Sequence, residues 1–185
     1  MAGYADGEHD KARRFRDAAL PYLDDVFTLA RYLMRNSSDA EDAAQECYLR
    51  ALRHFDSYRG PAMKPWLLTI LRNVCNAEFA RRGRQEVSND CSAEKGAEDT
   101  PLWQETQATP EASLLRQRDD DTIRRLVAAL PQQFREVIVL REVNELSYQE
   151  IAQVAGVPVG TVMSRLARAR SMLRSAWSVA EGAAS

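Results

Sequence analysis

SYQEIAQVAGVPVGTVMSRLARARSML, residues 147–173, is the stretch that decides the fold. Ser147 and Glu150 stand three apart, the spacing at which a side-chain oxygen and a carboxylate satisfy each other's backbone N–H groups at a helix start. A helix is therefore expected from Tyr148 to about Ala155, with Ile151 and Val154 facing inward. Ala152 is small where a second helix must approach. Gly156 supplies the positive φ that a tight helix end needs. Val157 fills the corner and Pro158 can start the next helix. Val162, Leu166, Ala169 and Leu173 then recur at helical spacing and hold that helix on a core. Two helices joined this way form a helix-turn-helix.

The outer face of the second helix carries Thr161, Ser164, Arg165 and Arg168. Its first turn offers the unpaired backbone N–H groups of Val159, Gly160 and Thr161, and the helix dipole adds to these donors to suit a phosphate oxygen. Gly160 lets another backbone approach. Arginine forks onto guanine or grips phosphate, and serine and threonine hydroxyls do either more weakly. An ordinary helical hairpin with a solvated basic face competes with this reading. Against it stand the capped first helix, the spacing of Ala152 and Gly156, and the absence of any acidic residue from Val157 to Trp177. The layout is that of a helix that reads a DNA groove.

The whole chain of 185 residues has a net charge of −2, which looks wrong for a DNA binder. The charge is segregated. Acids crowd the middle at Glu86, Asp90, Glu94, Glu98, Asp99, Glu105 and Glu111, opposed only by Lys95. Arginines crowd two other places: Arg81, Arg82 and Arg84, then Arg165, Arg168, Arg170 and Arg174. Local field steers a protein toward phosphate, and net charge does not. The composition, 45% hydrophobic and 28% charged, is that of a globular protein. No apolar run of about 18 residues offers a membrane span. The first residues, MAGYADGEHDKARR, lack the apolar stretch of a signal peptide, so the expected location is the cytoplasm.

Upstream, Phe15, Ala19, Leu23, Val26, Phe27, Ala30 and Leu33 recur at helical spacing. Pro21 starts a new helix there or kinks one. Ser38 with Glu41 reads as a second capping box, opening a helix to about Phe55. Gly60 and Pro61 mark a loop, and a further helix is expected from near Pro65 as its first residue. Periodicity fails from Gln85 to about Pro110, a polar acidic tether with Leu102-Trp103 as its one apolar spot. Helical spacing resumes through Leu115, Ile123, Leu126, Val127 and Leu130, and Pro131 begins another helix. No strand is expected. The fold class is all-α: residues 12–84 and 111–178 as two helical domains, the second containing the helix-turn-helix, joined by a flexible acidic linker over 85–110. Cys47 and Cys75 fall on apolar faces and read as core, whereas Cys91 lies in polar sequence as an exposed thiol.

On the helix after Ser38, Asp42, Gln45, Glu46 and Leu49 form one stripe, separate from the apolar stripe of Ala40, Ala44, Cys47, Ala51 and Phe55. The first stripe is either a solvated face or the seat of a basic partner. DAEDAAQECYLRALRHF resembles the core-polymerase-binding segment of bacterial sigma factors. PWLLTILRNVCNAEFARR resembles their promoter-melting segment, and LPQQFREVIVLREVNELSYQEIAQVAGVPVGTVMSRLARAR their region 4. Two such blocks in this order resemble the extracytoplasmic-function group of the sigma-70 family.

That resemblance implies roles. Asp42, Gln45, Glu46 and Leu49 would meet the β′ clamp helices of core RNA polymerase, with the β flap engaged by the second domain. Tyr58, Arg59, Lys64, Asn73, Asn76, Arg81 and Arg82 would meet the minus-ten DNA, Tyr58 by stacking on a base flipped into the loop from Asp56 to Lys64. Val159, Gly160, Thr161, Ser164, Arg165 and Arg168 would meet the minus-35 DNA. Trp66 and Ile70 read as core. The acidic tether would suit the basic RNA exit path of the polymerase. An anti-sigma factor is an implied partner; a small-molecule substrate, a cofactor, a metal and membrane insertion are not. Met163 and Ala167 depart from the family, which often carries Arg or Lys and a bulky side chain there. The competing readings are a self-sufficient helix-turn-helix regulator, a sequestering mimic and an enzyme. The last lacks a ligand cluster, a glycine-rich phosphate loop or a nucleophile–base pair, and His9 and His54 stand isolated.

Overall fold

The computed structural model describes residues 3–34, 36–60, 62–88 and 122–182. All regular structure among them is helical. Eight helices follow in order: α1 (Gly3–Ala19), α2 (Leu23–Leu33), α3 (Ser37–His54), α4 (Met63–Ser88), α5 (122–129), α6 (Gln132–Glu142), α7 (Tyr148–Ala155) and α8 (Val159–Gly182). Pro21 neither kinks one helix nor opens a regular one. It sits in a 3-10 turn, Leu20–Tyr22, that separates α1 from α2. Cys91, Leu102-Trp103, Leu115 and the tether beyond Ser88 lie outside the described residues.

The first lobe is built on α2, α3 and α4, whose Leu29, Leu33, Leu67, Leu68 and Leu71 are fully buried. Phe15 of α1 locks onto α3 edge-to-face, 5.3 Å from Phe55 and 6.1 Å from Tyr48 between ring centroids. Cys47 and Cys75 are buried core residues, as their spacing predicts. Burial pushes both thiols up to about 12, so neither is a nucleophile near neutral pH. The second lobe packs α6, α7 and α8 around Val137, Leu140, Ile151, Val154, Val162 and Leu166.

Several boundaries shift from their expected places. α3 starts at Ser37, and its cap is Asn36 rather than Ser38. Asn36 Oδ1 accepts from the Asp39 backbone N–H at 2.7 Å while its Nδ2 donates to Asp39 Oδ2 at 2.7 Å. Asparagine caps as well as serine, and Asn36 makes two bonds to Asp39, through its Oδ1 and its Nδ2. α4 begins at Met63, so Pro65 lies inside its first turn, where no N–H is needed. The same helix runs on to Ser88, past Arg84 and into the stretch expected to be linker. Pro131 and Pro158 are N-caps rather than first helical residues: the Pro131 carbonyl accepts from Phe134 at 2.9 Å and that of Pro158 from Thr161 at 2.9 Å.

The lobes do not stand apart. α2 packs on α6 and α4 on α7, and one hydrophobic cluster runs through both. Polar contacts cross the same seam. Arg72 of α4 donates through Nε to Oε1 of Glu136 on α6, an ion pair whose carboxylate is 6% exposed. Asn144 Nδ2 donates to the Asp25 carbonyl and to Asp25 Oδ1, each at 3.1 Å, and Lys64 Nζ reaches the same Oδ1 at 2.7 Å. Gln132 Nε2 donates to Asn76 Oδ1 at 3.3 Å.

Burial raises the Glu136 pKa, and the attraction of Arg72 only partly offsets it. A raised carboxyl pKa favours the folded state at low pH, and that contribution is lost as pH rises through the folded value. Removing Arg72 raises that pKa further. Arg72→Met is expected to lower the free energy of unfolding by about 3–5 kcal/mol at pH 8, where the orphaned carboxyl must be buried without its partner, take up a proton or move to solvent. The deficit shrinks toward pH 4, where it takes a proton. Urea denaturation at the two pH values measures this; a deficit independent of pH would mean that Glu136 does not carry charge at the seam.

Candidate nucleic-acid interface

The helix-turn-helix forms as its sequence requires. Ser147 Oγ accepts from the Glu150 backbone N–H at 3.3 Å, and Glu150 Oε2 accepts from the Ser147 N–H at 2.8 Å. Bonds from Ser147 pull the Glu150 pKa below the usual carboxylate range, with Lys64 adding to the effect. Gly156 closes α7 at φ +62°, a conformation that strains any residue with a Cβ. Val162, Leu166 and Ala169 are buried and fix the rotation of α8.

That rotation divides the expected contact residues. Val159, Gly160, Ser164 and Arg168 are exposed along the outer face. Arg168 has no ion-pair partner among the described residues, so its guanidinium is available. Thr161 and Arg165 are half-buried on the flank turned toward the first lobe. There Arg165 lines a cleft of about 410 Å³ with Arg72, Asn76, Gln132, Gln133 and Glu136. A Cβ built on Gly160 meets nothing within 4 Å. Packing within the chain therefore does not explain a glycine in the first turn of α8.

The residues expected to meet melted DNA are placed differently. Tyr58 tilts against Trp66, ring centroids 4.8 Å apart, and its ring lies over Gly60 so closely that a Cβ there would stand 2.9 Å from it. Arg59 turns back, donating to the carbonyls of Asp56 at 2.5 Å and Tyr58 at 2.9 Å. Lys64 is held by Asp25 and Asn76 by Gln132. Asn73 is exposed. Arg81 and Arg82 are already paired: both chelate Glu78, and Arg82 also reaches Asp39 at 2.6 Å. Their hydrogen bonds hold the Glu78 carboxyl down at about 2. Trp66 and Ile70 are half-buried against the core.

Beside the loop lies an open cleft of about 610 Å³, which sequence reasoning missed. Tyr58, Arg59, Trp66 and Thr69 form one wall, and Ser147, Gln149, Glu150 and Gln153 of the second lobe form the other. Its halves lie some ninety residues apart, so no local pattern announces it. The remaining group is open to solvent. On α3, Asp42, Gln45 and Leu49 are exposed, and Glu46 pairs only with Arg50 one turn on, at 2.6 Å.

The sequence model for Sigma-70 region 2 matches residues 19–85, and that for Sigma-70, region 4 matches residues 120–173. The chain is similar to the RNA polymerase sigma-H factor of Pseudomonas aeruginosa, 32% identical over 167 residues that cover 87% of this chain and 84% of the relative. It is 36% identical to the ECF RNA polymerase sigma-E factor of Escherichia coli K12, over 74% of this chain and 73% of that one. With the ECF RNA polymerase sigma factor SigW of Bacillus subtilis it shares 31% identity, covering 86% and 87% of the two chains. Among solved structures, the sigma factor RpoE in its complex with the anti-sigma factor NepR from Bartonella quintana aligns with a TM-score of 0.72 at 27% identity, over 90% of this chain and 98% of that one. The fold of CnrH, solved with the cytosolic domain of CnrY, aligns at 0.62 over 95% and 94%. Both matched regions, in order and with these relatives, place the chain in the sigma-70 family of RNA polymerase sigma factors, to whose extracytoplasmic-function group it belongs.

Proposed function

We propose that Asp42, Gln45, Glu46 and Leu49 bind the β′ clamp helices of core RNA polymerase and that α8 reads the minus-35 element through Val159, Gly160, Thr161, Ser164, Arg165 and Arg168. The loop and helix carrying Tyr58, Arg59, Lys64, Asn73, Asn76, Arg81 and Arg82 take the minus-ten element. The observation that carries this is the coexistence, in one chain, of an open acceptor stripe on α3 and, on the exposed face of α8, an unobstructed Gly160 and an Arg168 without an ion-pair partner among the described residues. A self-sufficient regulator needs the second feature and has no use for the first. Residues 12–84 and 111–178 act as the two functional domains, tethered by the acidic stretch between them.

On this assignment the packed arrangement is a resting one. Asn76 and Arg165 line the same seam between the lobes, so DNA reaches both only when the seam opens. The α3 stripe makes no contact with the second lobe among the hydrogen bonds and ion pairs described, so core enzyme can dock first. Control by an anti-sigma factor is part of the proposal, supported by the NepR complex of the similar sigma factor from Bartonella quintana. Such an inhibitor would cover the Asp42–Leu49 face, the recognition helix or both. Chemistry stays with the polymerase, and this chain supplies binding and orientation.

Run-off transcription with purified core polymerase on genomic fragments tests the assignment: products are expected only when both proteins are present, whereas a regulator would footprint alone. Reversing charge with Asp42→Arg and Glu46→Arg is expected to weaken core binding about 100-fold or more while helicity is unchanged. Both side chains are solvent-accessible, and the lost Glu46–Arg50 pair is worth only about 0.3–0.5 kcal/mol. Normal core affinity in a folded double variant would move the polymerase site elsewhere. Gly160→Ala is expected to stabilise α8 by about 0.5–1 kcal/mol and yet to weaken binding to the upstream promoter element. A thermal melt and a promoter titration on the same preparation separate the two effects; a gain in stability with unchanged affinity would rule out close approach at this position.

A further inference from the structure

Val159, Met163 and Ala167 lie one helical turn apart on α8, and all three are exposed. Met163 is 54% exposed and Val159 38%. A single exposed apolar side chain is ordinary, but a run of three along the leading turns of a recognition helix is not explained by packing. The stripe runs beside Gly160, Ser164 and Arg168, so apolar and hydrogen-bonding groups share one accessible surface. From Val157 to Trp177 the chain carries no acidic residue, and the nearby carboxylates of α6 are turned to Arg170 and Arg72, which leaves Arg168 as an unpaired positive charge beside the stripe among the described residues. The stripe's occupant is therefore polyanionic and presents apolar groups at the depth that side chains reach. Duplex DNA meets both conditions in the major groove, where the thymine 5-methyl is the one apolar group on the base edges.

We propose that the Val159–Met163 stripe reads thymine methyl groups in the upstream promoter element, with Met163 the specificity-determining side chain. This rests on the assignment of α8 as the recognition helix. The unbranched methionine side chain adapts to a methyl on either strand, where a lysine or arginine would seek guanine or phosphate instead. One helical turn rises about 6 Å between Val159 and Met163, close to two base steps of about 3.4 Å. Thymines are therefore expected at two positions about two base pairs apart. Sequence preference at those positions comes from apolar burial, and Arg168 contributes hydrogen bonds alongside.

The test uses the full chain assembled with bacterial core polymerase and a promoter selected from a library randomised in the upstream element. Each thymine of the selected element is replaced by deoxyuridine, which removes only the methyl. The unaltered protein is expected to lose about fourfold in affinity at the position Met163 meets, the value of one buried methyl-sized group. Met163→Ala is expected to lose about as much on the thymine template and to be indifferent to uracil there. Met163 is exposed, so this variant folds. Undiminished binding to every uracil template, or a Met163→Ala protein still sensitive to uracil at the same position, overturns the methyl contact. Arg168→Ala distinguishes the two levels of failure. If it abolishes selection of an upstream element while uracil is tolerated throughout, α8 remains the reader and only the methyl contact falls. If it leaves selection intact, α8 is not the reader and both fall together.

Discussion

Glu136 keeps a charge at the seam between the lobes only because Arg72 reaches across to it. A lone carboxylate with 6% of its side chain exposed would be neutralised or expelled. Burial raises its pKa, while Arg72, and Arg165 more weakly, pull it back down. The pair is therefore less a source of stability than a condition on geometry: α4 and α6 must meet in register, or the charge is stranded. Much else follows from that register. Asn144 meets Asp25, Gln132 meets Asn76, and α7 comes to wall the cleft beside Tyr58. Hydrophobic burial along the same seam supplies the attraction, and the polar contacts select one orientation from among those it permits.

Local order was legible in the residues, and long-range order was not. Ser147 with Glu150, Gly156, and the Val162–Leu166–Ala169 spacing specify the helix-turn-helix because each acts on its own backbone or on the next turn. The α3 stripe was legible for the same reason, since Ala40, Ala44, Cys47 and Ala51 bury one face and leave Asp42, Gln45 and Leu49 outside. Errors came where two local rules competed. Asn36 and Ser38 both make good caps, and Asp39 tipped the balance through a contact that only coordinates display. The docking of the lobes was invisible because Arg72 and Glu136 lie 64 residues apart and each reads singly as a surface charge. The candidate site divides the same way: Val159, Gly160, Ser164 and Arg168 share one exposed face that helical spacing displays, whereas the partners of Lys64 and Asn76, Asp25 and Gln132, lie far from them in sequence.

The two basic clusters, alike in sequence, are unlike in state. Arg81 and Arg82 are satisfied by Glu78 and Asp39, whereas Arg168 has no such partner among the described residues. The first arrangement nearly cancels the charge of Arg81 and Arg82 on α4. The second leaves positive charge on the exposed face of α8, where Arg170 is tied to Glu142 at 2.7 Å and Arg165 lies near Glu136. On the proposed assignment of α8 to duplex DNA, a chain of net charge −2 would approach by that helix without its first lobe adhering to each phosphate backbone it meets.

That asymmetry suits an order of events. Ion pairs as exposed as Arg81–Glu78 contribute only about 0–1 kcal/mol, so they are weak locks. Stray phosphates arriving one at a time would have to displace Glu78 from two arginines at once, and the chelated carboxyl, held down at about 2, stays charged throughout the neutral range. A strand laid along the whole helix offers several phosphates in fixed register and meets Asn73 and Asn76 in the same step. The exchange then becomes cooperative, since each phosphate positioned makes the next one intramolecular. On the proposed assignment, the first lobe would discriminate by the number of contacts made together. The second is proposed to discriminate by base edges, through Gly160, Ser164 and Arg168, which are exposed from the outset, and through Arg165 once the seam opens. Each lobe's charge pairing fits the kind of DNA it is proposed to meet: melted strand held in place by polymerase for α4, and intact duplex found by diffusion for α8.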